Sequence, residues 1–261
     1  IVFYQQPWEI YSPQKIAQVS KFALTAYMPY CFYMLDSDVN YSNIFHKKVW
    51  KYFVESPIYE KVYKNKYGAN NCVGLGHTKL DQYFLTDEKR YKDFWSEKGK
   101  KRVIYAPHHS FDRMHKMATF KWNGKFILDW AKKHSKEVEW IFRPHPSFKN
   151  AVITNNIMSE KEIDSYYKEW SKVGKVYTAG DYYTCFKTSD ALLTDCISFL
   201  AEYLPTKNPV IYLRSKQQVE KFSKLGEQIV KHYYHIYNSN ELAKIMDRVV
   251  LQGDDYLKNE R

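Results

Sequence analysis

Short apolar runs alternate with amphipathic stretches along this 261-residue chain. The clearest run is Ala191 to Thr194, followed by the polar turn Asp195-Cys196 and by an apolar-periodic stretch from Ser198 to Leu204. That order predicts a buried strand, a tight turn and a helix. A second run, Val138 to Phe142, ends in Arg143-Pro144-His145-Pro146, and a third, Val103 to Ala106, ends in Pro107-His108-His109-Ser110. Further strands are expected at 175–177 and 209–213, and helices at 121–134, 159–171, 181–188 and 216–226. A last helix starts at the cap Ser239-Asn240 and runs to about Leu251. Strands alternating with helices imply a parallel, doubly wound α/β sheet.

The first third of the chain is less regular. The pattern predicts a strand at 1–4, a helix at 13–20, a strand at 22–27, and a helical stretch from Asn43 to about Lys64 that Pro57 breaks. A strand at 71–75 follows, ended by Gly76, and His77 opens a short helix. Residues 86–101 are highly charged and read as a linker, or equally as a surface helix with a turn at Gly99. The expected organisation is an N-terminal domain at 1–85, the linker at 86–101 and a C-terminal domain at 102–261. Because Ile1 lies inside an apparent strand, the first domain is expected to be incomplete at its N-terminus.

Charge narrows the partner. Lys and Arg number 40 against 29 Asp and Glu, a net charge of +11, which favours a nucleotide, a phosphorylated polymer, a nucleic acid or an anionic membrane. The lysines are dispersed in small groups such as Lys47-Lys48, Lys100-Lys101 and Lys132-Lys133, as on a solvated surface. A nucleic-acid binder would gather basic and stacking residues on one face, so no nucleic-acid partner is expected. The four cysteines, Cys31, Cys72, Cys185 and Cys196, form no Cys-x-x-Cys pair and read as reduced thiols. Asp36-Ser37-Asp38 has the form of a metal-binding Asp-x-Asp but reads as a loop with helix-capping acids, and no metal or cofactor is expected. No apolar run reaches the ~20 residues that span a bilayer.

The strand ends carry the candidate chemistry. A helix N-terminus after a strand offers unpaired N–H groups to phosphate, which singles out Thr194, Asp195 and Ser198. Ser198 is also readable as a plain N-cap, and Asp195 as a cap or an orienting group. Glu202, one turn on, would bind a ribose diol or lie on the helix surface. Arg143 offers a fixed cation. His145 is either a ligand donor or a turn histidine held by its prolines. His108 and His109 follow Pro107, either lining the same cleft or lying on a surface turn. His46, Asp36 and Asp38 are the candidates for a general base, although His46 would equally be a buried residue on a helix with Val49 and Phe53.

With these residues in view, the chain resembles the CDP-glycerol glycerophosphotransferases of teichoic acid and capsule synthesis. Tyr105-Ala106-Pro107 resembles that family's "YAP", Arg143-Pro144-His145-Pro146 its "RxHP", and Leu193-Thr194-Asp195-Cys196-Ile197-Ser198 its "(I/L)TDYSS". Pro209-Val210-Ile211-Tyr212 resembles the strand that follows. Gly76-His77-Thr78-Lys79-Leu80-Asp81 is similar to "GxPRxD", with Thr for Pro and Lys for Arg. The chain departs from the family at position 196, where Cys replaces Tyr, and in keeping only Ser198 of the paired serines. It has no "WHG" motif; Met28-Pro29-Tyr30 follows the comparable strand.

The resemblance implies a GT-B-like fold of two Rossmann-like domains. It implies transfer of glycerol phosphate from CDP-glycerol to a hydroxyl of a cell-surface polymer or its lipid-linked precursor, with release of CMP. His145 and His46 are then the catalytic candidates. Pro107, His108, His109, Arg143, His145, Thr194, Asp195, Ser198 and Glu202 are the donor-binding candidates. The implied setting is cytoplasmic, peripheral at an anionic inner membrane face. The alternatives are a GT-B glycosyltransferase using a nucleotide sugar in capsule or lipopolysaccharide synthesis, and a basic nucleic-acid-binding protein.

Overall fold

Strands whose residues are all apolar need cover on both faces, and the central strands of this chain receive it. In the computed structural model, residues 1–7, 12–36, 44–85, 92, 94–96, 99–111, 116–178, 180–218 and 221–261 are described. The chain divides into two units: Ile1–Phe84 with Lys221–Glu227, and Leu85–Glu220 with Gln228–Arg261.

The first unit holds a parallel sheet of β1 (Val2–Tyr4), β2 (Thr25–Tyr27), β3 (Lys51–Val54) and β4 (Cys72–Gly74), in that spatial order. The helix expected over 43–64 is instead two helices, Ile44–Lys48 and Pro57–Tyr67, with β3 between them. Lys51-Tyr52-Phe53-Val54 alternates half-buried and buried positions, and this period of two prevails. Ser56 caps the second helix by accepting the Tyr59 N–H, Pro57 occupies its first turn, and Gly68 ends it at φ 66°.

The segment around 221–227 also belongs here. Leu35 bridges Phe222, and the Ser223 N–H donates to the Met34 carbonyl at 2.8 Å. The expected helix at 216–226 is displaced to Lys224–Val230. Gly226 permits this approach, because a Cβ there would sit 2.2 Å from the Met34 carbonyl oxygen.

The second unit holds a six-stranded parallel sheet, ordered β10-β9-β8-β5-β6-β7. The strands are β5 (Lys101–Ala106), β6 (Val138–Phe142), β7 (Gly174–Val176), β8 (Ala191–Thr194), β9 (Val210–Leu213) and β10 (Tyr234–Ile236). Helices Phe120–Lys133 and Glu160–Val173 contribute Ile127, Trp130, Ile163 and Trp170 to a core shared with Trp140 and Phe142. Trp170 stacks on Phe142 at 5.1 Å. Ser159 and Glu162 close a capping box at the second of these helices.

Sequence order runs outward from β5 to β7 on one side, then restarts at β8 and runs to β10 on the other. The order reverses between β5 and β8, and the crevice at the carboxyl ends of two such strands is where open α/β sheets bind ligands.

Candidate functional site

Backbone pairing continues past the ends of β5 and β6 and fixes the loops that follow. The Arg143 N–H donates to the Tyr105 carbonyl at 2.8 Å, and the His145 N–H to the Pro107 carbonyl at 3.1 Å. Alternate residues of a strand direct their N–H groups to opposite neighbours. Pro144 and Pro146 therefore occupy positions that need no donor toward β5, while Arg143 and His145 bond there. The result brings His108, His109 and His145 together. His109 stacks on His145 at 3.9 Å, His108 lies 4.4 Å from His109, and His108 lies 5.2 Å from His145, centroid to centroid.

The backbone also sets the tautomers. The Ser147 N–H donates to His145 Nδ1 at 3.1 Å, and the Ser110 N–H donates to His108 Nδ1 at 3.3 Å. A neutral imidazole that accepts at Nδ1 carries its proton on Nε2. Burial, and then the neighbouring His109, lower the His145 pKa to about 4, so this ring is neutral near pH 7. His108 and His145 thus present Nε2–H donors at the sheet edge. One ring nitrogen from each of the three histidines lies within 4.8 Å of the others. A cation would need Nε2 free of its proton, usually with Nδ1–H donating to an oxygen, the reverse of what the backbone imposes. The donor set suits an oxyanion.

Asp195 ties the switch point together. It is 1% exposed, and its Oδ1 accepts the His108 N–H at 2.6 Å. Its Oδ2 accepts the Thr119 N–H at 2.6 Å and the Thr119 hydroxyl at 2.7 Å. Burial raises its pKa to about 6 against the pull of these donors. The neighbouring Thr194 hydroxyl donates to the Ala106 carbonyl at 2.7 Å and accepts the Cys196 N–H at 2.9 Å. The end of β8 is thereby fastened to the end of β5, with Ser198 half-buried in the first turn of the Ile197–Tyr203 helix.

A second set lies beside the first. The Arg143 guanidinium sits over the Tyr177 ring at 5.1 Å and the Tyr182 ring at 4.8 Å. Its Nε is buried without a hydrogen-bond partner, and burial lowers its pKa. The Tyr182 hydroxyl donates to Glu202, and the Tyr183 hydroxyl donates to Glu202 Oε2 at 3.1 Å. Glu202 is 1% exposed, not the helix-surface carboxylate that was one of its two expected readings.

The model of the CDP-Glycerol:Poly(glycerophosphate) glycerophosphotransferase family matches residues 36–226. The chain belongs to this family. Its class is that of a CDP-glycerol glycerophosphotransferase-like transferase. No curated protein matches the chain in sequence. Among solved structures, the wall teichoic acid polymerase TagF is similar at 12% identity and TM-score 0.62, over all of this chain and 66% of that one. The UDP-GlcNAc 2-epimerase of Neisseria meningitidis, bound to UDP-GlcNAc, is similar at 12% identity and TM-score 0.62, over 95% of this chain and 68% of that one. The chain thus spans about two thirds of the length of these proteins, and the likeness places its fold among the GT-B enzymes.

In this glycerophosphotransferase the candidates drawn from the sequence divide by position. His108, His109, Arg143, His145 and Ser198 are half-buried at carboxyl ends of neighbouring strands or just past them. Pro107, Thr194, Asp195 and Glu202 are buried. Pro107 acts through its carbonyl, and the other three through side-chain bonds to their neighbours. His46 lies elsewhere: it is 1% exposed in the first unit, stacked on Tyr52 at 4.8 Å and on Tyr27 at 5.3 Å. That is the buried-helix reading, and it leaves no surface at which His46 would meet a hydroxyl. The Asp36 N–H donates to the Lys221 carbonyl. Ser37 and Asp38 lie outside the described residues.

Three residues of the site escaped the sequence reading. Thr119 and Tyr182 have no motif around them. Arg214 was findable: it follows the apolar run of β9 as Arg143 follows that of β6. Its guanidinium lies 5.5 Å from the Tyr212 ring and 5.4 Å from the Tyr237 ring.

Proposed function

We propose that the protein transfers glycerol phosphate from CDP-glycerol to a hydroxyl of a teichoic-acid-type polymer or its lipid-linked precursor, releasing CMP. The observation that carries this reading is the pair of Nε2–H donors, His108 and His145, held at the switch point of a chain in the glycerophosphotransferase family. In the transfer an acceptor oxygen bonds to the phosphorus of glycerol phosphate, the phosphorus–oxygen bond to CMP breaks, and the hydroxyl proton is released. Negative charge grows on the departing CMP phosphate. Neutral donors fixed in advance stabilise that charge without reorganising, which is the main lever available in phosphoryl transfer. Arg143 adds a permanent cation and Ser198 a hydroxyl, while the buried Glu202 holds the Tyr182 and Tyr183 hydroxyls in place beside them. His145 is the catalytic residue of this set.

The acceptor surface is read as anionic and membrane-associated, at the inner face of the cell membrane, in keeping with the net charge of +11. Among the described residues no helix is long and apolar enough to cross a membrane.

The test is product analysis. Purified protein is offered CDP-glycerol, UDP-sugars and GDP-sugars with a glycerol phosphate primer. CMP release coupled to primer extension is expected with CDP-glycerol alone. Release of UDP or GDP with glycosylated product, and none of CMP, overturns the proposal.

A further inference from the structure

Asn123 lies one turn into the Phe120–Lys133 helix and is fully buried, on the face that carries Phe120 and Ile127 into the core. Asparagine is a weak helix former, and a buried amide costs stability unless both of its ends are bonded. Leucine would fill the same space with no polar atom to satisfy, so packing alone does not account for the amide.

Both ends of the amide are bonded, and the bonds lead to the switch point. Asn123 Oδ1 accepts the Tyr105 hydroxyl at 2.7 Å, and Nδ2 donates to Thr119 Oγ1 at 2.6 Å. The Thr119 hydroxyl donates in turn to Asp195 Oδ2 at 2.7 Å, and Asp195 Oδ1 holds the His108 N–H. Side chains from β5, the helix, the position before it and the end of β8 thus form one chain that ends on the backbone of a donor histidine.

The carboxylate sets the direction of every bond. An ionised Asp only accepts, so the Thr119 hydroxyl spends its hydrogen there and must accept from its other neighbour. That neighbour is the Asn123 amide NH2, which leaves the amide oxygen for the Tyr105 hydroxyl. All the hydrogens point toward Asp195, and bonds aligned in this way polarise and strengthen one another. The Tyr105 ring fixes the far end, 5.7 Å from Phe142 and 5.8 Å from Trp170. None of the four side chains is more than 1% exposed, so water does not compete for the bonds. Besides Tyr105, the titratable side chains that interact with Asp195 are Cys196 beside it and Tyr212 on β9. Burial raises the pKa of all three, and none is charged near neutrality.

We propose that Asn123 and Tyr105 are positioning residues for the phosphate-binding edge, acting on His108 through Thr119 and Asp195. The chain holds the carboxylate in one orientation, the carboxylate holds the His108 N–H, and the Nε2–H donor of that residue is aimed accordingly. The link to the nucleotide rests on the proposed function; the link to Asp195 rests on the contacts alone.

Two measurements on the full chain test this in Tyr105→Phe, Asn123→Leu and Thr119→Val, each of which removes polar atoms with little change of shape. Carbon-13 NMR of protein labelled at the aspartate carboxyls gives the titration midpoint of Asp195, assigned by the signal missing from Asp195→Asn. Calorimetric titration with CDP gives nucleotide affinity. The midpoint is expected to move to higher pH in all three variants, most in Thr119→Val and least in Tyr105→Phe, because each loses support for the charged form at a different distance from it. CDP binding should weaken in the same order, by roughly three-fold or more in Asn123→Leu. A merely structural role would lower the melting temperature without ordering the midpoints. Tyr105→Phe keeps its ring and supplies the same two readings if Asn123→Leu does not fold. An unmoved midpoint, or wild-type CDP affinity, in these variants overturns the proposal. Should wild type bind no CDP, the nucleotide reading fails alone, and the carbon titration still decides whether the chain acts on Asp195.

Discussion

Replacing Asp195 by Asn tests the anchor of the site most sharply, because the two residues differ in one acceptor atom. The two oxygens of Asp195 serve two different backbone N–H groups, those of His108 and Thr119, with the Thr119 hydroxyl as a third donor. An amide has one acceptor oxygen. Whichever way it turns, one buried N–H meets an NH2 group, and the remaining bonds lose their charge assistance. Hydrogen bonds to charged groups contribute roughly 1.5–3 kcal/mol each, so the loss amounts to about 4–6 kcal/mol. The rise of the Asp195 pKa from 3.8 to about 6 is net of these donors: burial of the charge outweighs them by about 3 kcal/mol, a cost that Asn avoids. At pH 5 the folded carboxyl is largely protonated and most of that cost is absent, so there the variant is less stable by about 1–3 kcal/mol, the penalty of a buried N–H left without an acceptor.

The sign with pH follows from the raised pKa. The wild-type protein is stabilised when Asp195 is protonated in the fold, and this contribution declines as pH rises from 3.8 to about 6. Asn has no such term, so the deficit of the variant is larger at pH 5 than at pH 7.5, by about 1 kcal/mol. Urea denaturation at the two pH values measures it, and CDP titration should show at least ten-fold weaker binding once His108 loses its anchor. Equal stability at pH 5, or a deficit that grows with pH, would refute the reasoning.

Three other outcomes follow from named contacts. Thr194→Val removes the hydroxyl that joins the Ala106 carbonyl to the Cys196 N–H, and thermal unfolding should show a loss of roughly 1–3 kcal/mol. Glu55 is buried at the end of β3, where burial pushes its pKa from 4.5 up to about 7 against the pull of the Tyr33 N–H. Its contribution is complete below pH 4.5, falls by about 3 kcal/mol as pH rises to 7, and is absent from Glu55→Gln; denaturation midpoints at pH 5 and 8 in both proteins check it. His145→Ala should abolish CMP release while shifting the melting temperature by no more than a few degrees, and turnover retained in that variant would exclude an essential role.

The legibility of this chain differs between its halves for physical reasons. Strands β5, β6 and β8 are buried on both faces, so their residues form unbroken apolar runs between turn residues, and the sequence shows them plainly. β3 was hidden because Tyr52 and Phe53 fit a helical period as well as a strand, and four residues cannot outweigh the helical neighbours on either side. β10 spans Tyr234 to Ile236 and follows Lys231-His232 without a glycine or proline to mark its start. The return of Lys221–Glu227 to the first unit depends on contacts with residues 34–36, nearly two hundred positions away. At the site, the proline spacing around Arg143 and His145 pointed to the strand edge. It did not show that Ser110 and Ser147 fix the imidazole tautomers, since that follows from loop geometry. His46 shows the converse: its spacing with Val49 and Phe53 fitted a core residue and a base equally, and the aromatic stack of Tyr27 and Tyr52 decides for the core.

The most direct measurement is a crystal structure of the protein with CDP-glycerol. The account predicts diphosphate oxygens within hydrogen-bonding distance of His108 Nε2 and His145 Nε2, with both Nδ1 atoms still accepting from Ser110 and Ser147. A nucleotide seated away from the ends of β5, β6 and β8, or imidazoles turned so that Nδ1 faces the phosphates, would contradict it.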